Sequence, residues 1–416
     1  MSAPAAPLSA APAERHAASI ITGAAPARQR NWLFGIEVLR GIAALTVVFH
    51  HSWSLGTTPR FRGYWLVEGF GTWGVSLFFV LSGFLLADHF WGERQPGRLR
   101  SFYTRRVFRI APAYYLNVAL LFLFFAEHQL LFSSQGAKQV LANATFTQHL
   151  FPETASNLNV NGVLWTLTIE MILYLVMPLL SLATRITRGW AVVAMIGIGL
   201  GYRLFVARAG SGLQDFYFAE GFPDHMARLF LARQFVGILP LFAVGIGLKW
   251  LVTQHDLRLP TRVVTALPRS ILIFMLLVPS LLALVFIERA TNYTHWVWFT
   301  GFEFLLGLLF VPALLACSSS VTQPVTAVDR PFVWLGVRSY GLYLWHFPII
   351  LAVYGRGPLI APPDVSPAAV KIGIVLLLSL SAAALSWALV ERPAQAIGRG
   401  WALRGRSWPR THQRPA

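Results

Sequence analysis

Apolar residues along this chain gather into long runs rather than alternating by two or recurring by three and four. Ten runs stand out, at about 36–54, 70–90, 110–126, 163–184, 189–209, 229–251, 270–287, 295–317, 333–354 and 367–390. Runs near 20 residues match a bilayer hydrocarbon core of about 30 Å at a helical rise of about 1.5 Å per residue. In lipid every backbone N–H and C=O must find a partner within the protein, and a helix satisfies its own. The pattern predicts an all-α polytopic integral membrane protein with about ten transmembrane helices. The polar stretches between runs are short except for about 127–162. That segment contains "NATF" and "PETASNLNVNG" and suits either an ordered lid or a plain connection.

The two ends differ from the middle. Residues 1–31 are rich in Ala and Pro and have no apolar core leading to a cleavage site, so they read as a disordered tail rather than a signal peptide. Residues 394–416 read as a basic tail. The expected organisation is an N-terminal tail over 1–31, one membrane domain over 32–393 and a C-terminal tail over 394–416.

Composition agrees: 56% of the 416 residues are hydrophobic and 12% charged, where a soluble domain carries about 25% charged residues. A net charge of +17 would suggest nucleic acid in a soluble chain. Here the excess fits Lys and Arg collected in cytoplasmic loops, and the expected partner is the lipid bilayer, with no nucleic acid. With the N-terminus inside, the cytoplasmic segments hold 23 Lys or Arg and the opposite loops six, which places both termini in the cytoplasm. The single Cys317 excludes an intramolecular disulfide and a cysteine metal cluster, and no metal is expected. No internal repeat suggests a transporter's duplicated halves.

Ionisable residues in lipid are costly and point to function. In "LRGIAALTVVFHH", Arg40 and His51 are eleven residues apart, roughly 20° past three full turns, and share a helix face; His50 points about 100° away. His51 lies about 22 Å along its helix, Glu170 about 10 Å from the opposite side, and His346 about 20 Å along a third helix. The three reach similar depth, and an imidazole is the expected neighbour of the buried Glu170. The segment "RQPGRLRSFYTRRVFRIAP" reads as a cytoplasmic loop with six arginines from 94 to 109. Arg106 and Arg109 lie on one face at a helix mouth, and paired guanidinium groups suit phosphate. Gly74 and Gly83 mark close helix packing. Glu303, Arg203 and Arg233 are further intramembrane charges, expected to pair structurally.

Taken together, the segments resemble the acyltransferase 3 family, membrane O-acyltransferases of bacterial surface sugars and related products, from about Ile36 to Pro393. "IEVLRGIAALTVVFHH" resembles the family's first helix with its Arg-x10-His spacing, met by Arg40 and His51. "GVSLFFVLSGFLLA" resembles the second-helix signature, and "RRVFRIAPAYY" supplies an Arg-x-x-Arg pair as Arg106 and Arg109. "LWTLTIEMILY" resembles the tryptophan-to-glutamate motif through Trp165, Glu170 and Tyr174, "SYGLYLWHFPI" a late motif with Tyr343 and His346, and "VERP" the closing one. Glu37 stands where aspartate is common, Ser76 replaces a frequent aspartate, Thr166 and Thr168 replace serines, and Met171 replaces a second glutamate. The hydrolase-like domain that follows in some members is not expected here.

The resemblance implies an acyl-CoA donor, acetyl-CoA first among them, with no bound cofactor, and a sugar or glycan hydroxyl as acceptor. It also implies a multi-pass protein of the bacterial inner membrane. His51 is the expected base because imidazole titrates near neutral pH, with Glu170 and Arg40 completing the catalytic set. Arg106 and Arg109 would hold CoA phosphates, and Tyr343, His346 and Trp165 would contact substrate; Glu170 or His346 would orient the base. A transporter or flippase for a lipid-linked or small polar substrate is the alternative, since it too uses midplane charge.

Overall fold

The computed structural model describes residues 27–56, 64–92, 97–124, 132–156, 161–209, 224–290, 298–319, 325–354 and 368–404. Helices dominate, and no strand occurs among the described residues. In chain order they are α1 (Ala27–Gly56), α2 (Tyr64–Leu86), α3 (Arg98–Phe124), α4 (Ser134–Ala144), α5 (Pro152–Ser156), α6 (Trp165–Ile186), α7 (Trp190–Arg208), α8 (Asp224–Ala232) and α9 (Phe235–Gln254). They continue as α10 (Thr261–Thr265), α11 (Arg269–Ala290), α12 (Glu303–Leu309), α13 (Val311–Ser318), α14 (Asp329–Val337), α15 (Ser339–Val353), α16 (Ala368–Ser386) and α17 (Arg392–Arg404).

Among the described residues, nine helical segments are long and apolar enough to cross a membrane, so the chain is a multi-pass membrane protein. The tenth expected run, 333–354, is divided. Arg338 leaves helical geometry between α14 and α15, and its guanidinium lies 4.3 Å over the Trp334 ring. α15 has 15 residues, about 22 Å at the helical rise, shorter than a hydrocarbon core.

Two other boundaries move. The arginine-rich segment expected as a loop is largely helix: Gly97 turns the chain at φ 74°, and α3 starts at Arg98 because nothing up to Ile110 breaks it. The expected basic tail starts as helix too, since α16 runs through a π turn at Trp387–Glu391 into α17. There Trp401 packs 5.8 Å from Phe108 of α3. The expected tails over residues 1–26 and 405–416 lie outside the described residues. The 127–162 segment carries α4 and α5, and Phe146 stacks on Tyr114 of α3 at 4.1 Å.

α1 runs through the centre, against α2, α13, α14 and α15, and α2 is held between α1 and α9. Where α2 crosses α9 the backbones touch: a Cβ on Gly83 would strike the Phe242 carbonyl, and one on Gly245 the Val80 carbonyl. Gly83 therefore serves packing, as expected.

Proline in a helix leaves the carbonyl four residues back without its N–H, and in a membrane that group needs another donor. Pro348 does this to Leu344. Asn117 of α3 and Asn161 donate to the Leu344 carbonyl at 3.2 and 3.0 Å, and Asn161 also donates to Asn117 Oδ1 at 3.2 Å. The proline thereby fixes α15 against α3 and the start of α6. Farther out, Arg203 and Glu303 form a buried pair at 2.7 Å, with Arg203 also donating to the Gly237 and Phe299 carbonyls.

Candidate functional site

α1, α2, α3, α6 and α15 enclose a cavity of about 810 Å³ of atom-free space, part of it open. Its apolar wall comes from residues such as Val75, Phe78, Phe79, Leu81 and Leu167, while Arg40, Arg106, Arg109, Glu170, Tyr174, Tyr340 and Tyr343 supply polar groups. Three guanidinium groups thus face one carboxylate among the lining residues.

Each is set by its helix. Arg106 and Arg109 are three apart and share the inner face of α3. Arg106 lies 5.7 Å over the Tyr174 ring and 5.8 Å over Phe102, and its Nε is buried without a hydrogen-bond partner. Arg40 Nη1 reaches both Glu37 oxygens at 3.3 Å. Tyr174, one turn after Glu170 on α6, donates to the Glu170 carboxylate. The imidazole expected beside Glu170 is therefore not its hydrogen-bond partner: a tyrosine and the arginines compensate the carboxylate instead.

The imidazole pairs with another imidazole. His51 Nδ1 lies 3.1 Å from His346 Nε2 and 3.0 Å from the Val47 carbonyl, and His346 Nδ1 lies 3.2 Å from the Leu342 carbonyl. A carbonyl only accepts, so both Nδ1 atoms carry protons. His346 Nε2 is then the acceptor for His51 Nδ1–H, and neutral His51 has its lone pair on Nε2. His50 turns away and faces the Val67 carbonyl at 3.0 Å.

The histidine pair is not part of the cavity wall. Tyr343 and Phe78, with ring centroids 6.0 Å apart, line the cavity, and Tyr343 lies 5.8 Å from His346 on the other side. The Tyr343 hydroxyl donates to the Val163 carbonyl at 3.0 Å and meets Thr166 Oγ1 at 2.8 Å. Arg40, Arg106, Arg109, Glu170 and Tyr343 thus gather in one cavity, His51 and His346 just beyond it. Trp165 is outside the cavity lining: its ring lies under Arg233 at 4.9 Å and beside His149 at 5.3 Å. Of the three charges expected to pair, Arg203 and Glu303 do so directly, whereas Arg233 goes to Trp165. Tyr340, whose hydroxyl donates to the Ile110 carbonyl at 2.8 Å, is a wall residue that sequence reasoning missed; its place beside Ser339 at the start of α15 was the only signal.

A multi-helix membrane protein with a cationic buried cavity bordering a histidine pair is the class this geometry defines. The family profile described as an acyltransferase domain matches residues 33–391, and the chain belongs to that family, acyltransferase 3. It is 25% identical over 400 residues to a putative peptidoglycan O-acetyltransferase, YrhL, of Bacillus subtilis, covering 89% of this chain and 56% of that one. It is 24% identical to the peptidoglycan O-acetyltransferase OatA of Listeria monocytogenes, covering 89% and 57%. It is 27% identical to a putative O-acetyltransferase of Staphylococcus aureus, covering 79% and 52%. The chain spans about half the length of these curated relatives. No solved structure matches it.

Proposed function

We propose that this protein is an O-acyltransferase that moves an acyl group, acetyl in the first instance, from acyl-CoA to a sugar hydroxyl. The acceptor would be a surface polysaccharide, a glycolipid or a secondary metabolite. The observation that carries this reading is the arginine-lined cavity adjoining a histidine whose Nε2 holds a lone pair.

In this reading Arg106 and Arg109 bind CoA phosphates at the cytoplasmic mouth, where forked donors suit phosphate oxygens. The unpartnered Arg106 Nε supports a ligand there. Arg40 adds positive charge along the path of the acyl arm, and Glu170 balances the arginines while the cavity is empty of substrate. The thioester passes Tyr343 and Phe78 to reach His51. His51 Nε2 takes the acceptor hydroxyl proton as that oxygen attacks the thioester carbonyl. The tetrahedral intermediate then collapses, the C–S bond breaks, and the thiolate recovers the proton from Nε2–H, leaving an ester and free CoA. His346 orients the base through Nδ1. The reading includes an inner-membrane location with both termini cytoplasmic.

The test is acyl transfer by purified protein in detergent, with labelled acetyl-CoA and candidate glycans. His51→Ala should abolish transfer while leaving the protein in the membrane. Near-normal acylation by that variant would overturn the assignment, and a transport activity that needs sealed vesicles would favour the alternative.

A further inference from the structure

Another guanidinium, that of Arg233, lies outside the arginine-lined cavity, over the Trp165 ring. α8 ends at Ala232 and α9 begins at Phe235, and the break between them turns Arg233 into the protein. Gln234 secures the break by donating to the His149 and Phe230 carbonyls at 2.9 and 3.3 Å. Non-helical backbone at membrane depth is tolerated where protein buries it or where it lines a cavity.

Arg233 differs from the other intramembrane arginine nearby. Arg203 spends its donors on Glu303 and two carbonyls. The Arg233 backbone N–H donates to the Leu229 carbonyl at 3.1 Å, but its guanidinium makes no hydrogen bond among the described residues; it rests on Trp165, which orients it without occupying its N–H groups. Also beside Trp165, at 5.3 Å, His149 is 6% exposed and its Nε2 has no hydrogen-bond partner among the described residues. Burial, then Arg233, pushes the His149 imidazole down to about 3, so at neutral pH it adds no charge. Arg203, Glu303 and Arg233 together carry one net positive charge. Glu303, already bonded to Arg203, is the foremost opposite charge acting on Arg233, and Tyr343, His50 and His51 also lie within its electrostatic reach.

An unpaired guanidinium in an apolar setting is costly and is matched best by an oxyanion held bidentately. We propose that Arg233 binds an oxyanion of the acceptor, a carboxylate or phosphate, and so presents the neighbouring hydroxyl to His51 Nε2. The inference rests on the acyl-transfer reading and narrows it: acceptors are anionic glycans.

The experiment compares acetyl transfer from labelled acetyl-CoA to three acceptors: muramidase-released peptidoglycan fragments, the same fragments with carboxylates reduced to alcohols, and a polyprenyl-diphosphate-linked sugar. The wild type should favour an anionic acceptor. Arg233→Gln should raise KM for that acceptor by about tenfold, the scale of one charge-assisted hydrogen bond. KM for acetyl-CoA should not change, and Arg233→Lys should restore part of the preference. Which anionic acceptor is favoured separates carboxylate from phosphate. Equal effects of Arg233→Gln on intact and carboxyl-reduced fragments, with no effect on the diphosphate sugar, would overturn the proposal, as would an unchanged acceptor KM. Calorimetric binding of the acceptors without donor needs no turnover. Charge-dependent binding lost in Arg233→Gln, alongside a wild type that transfers no acetyl group, would sink the acyl-transfer reading and keep the anion subsite. Charge-independent binding would sink the subsite.

Discussion

His346 Nε2 can receive the His51 proton only because its own Nδ1–H is committed to the Leu342 carbonyl. Removing that acceptor leaves His51 Nδ1–H with the Val47 carbonyl of its own helix, so the ring loses its tie to α15 and its lone pair is aimed less firmly. His346→Leu should therefore lower kcat by roughly one to two orders of magnitude, less than the loss of the base itself, with little change in KM. His346→Gln, whose amide oxygen can accept the same proton, should recover part of the rate. A rise in acceptor KM with unchanged kcat would instead mark His346 as a substrate contact. The spacing of Arg40 and His51 made their shared face legible. It could not show that His51 meets His346 rather than Glu170, because similar depth on separate helices does not fix which faces turn together. Sequence spacing could not show, for a related reason, which group Arg233 meets most closely. Its neighbours Arg203 and Glu303 satisfy each other, and only the helix break reveals that a third charge is left over.

Helix ends here are held by side chains as much as by sequence preference. Asp329, at the start of α14, accepts from the Ser270 backbone and hydroxyl at the start of α11, and from the Thr326 backbone and hydroxyl at 2.8 and 2.6 Å. Burial raises its pKa, but these donors outweigh burial and hold the carboxyl below its ordinary 3.8. In acid the unfolded chain takes up this proton first, so stability from Asp329 is present above about pH 4 and is lost as pH falls through the lowered value. Thermal unfolding in detergent between pH 7 and pH 3 should show that acid limb flattened in Asp329→Asn. At the α2–α9 crossing, Gly83→Val would force two backbones apart and should abolish folded protein, as judged by gel filtration. The long helices were legible because lipid demands uninterrupted apolar runs. The early start of α3 was not, since charged residues continue a helix readily when their heads reach an interface or a cavity.

For the molecule as a whole, charge predicts orientation: the topology with both termini inside puts 23 Lys or Arg in the cytoplasmic segments and six in the opposite loops. A fluorescent reporter that matures only in the cytoplasm, fused after Ala416, should fluoresce in cells; a dark fusion with a stable membrane domain would invert the topology. The resemblance to the family was legible from the order of motifs between about Ile36 and Pro393, and the family match covers residues 33–391. The cavity's partition was not legible, because Phe78 and Tyr343 come from helices remote in sequence and each reads alone as packing.

That partition bears on the cell's energy supply. Arginine-lined space lies on one side of Phe78 and Tyr343 and a histidine pair borders them, and a polar path joining the two would let protons leak across an energised membrane. Two aromatic rings are the plug. Tyr343→Ala should make proteoliposomes holding a pH gradient lose it faster than the wild type, independently of any acyl donor, as a trapped pH-sensitive dye would report.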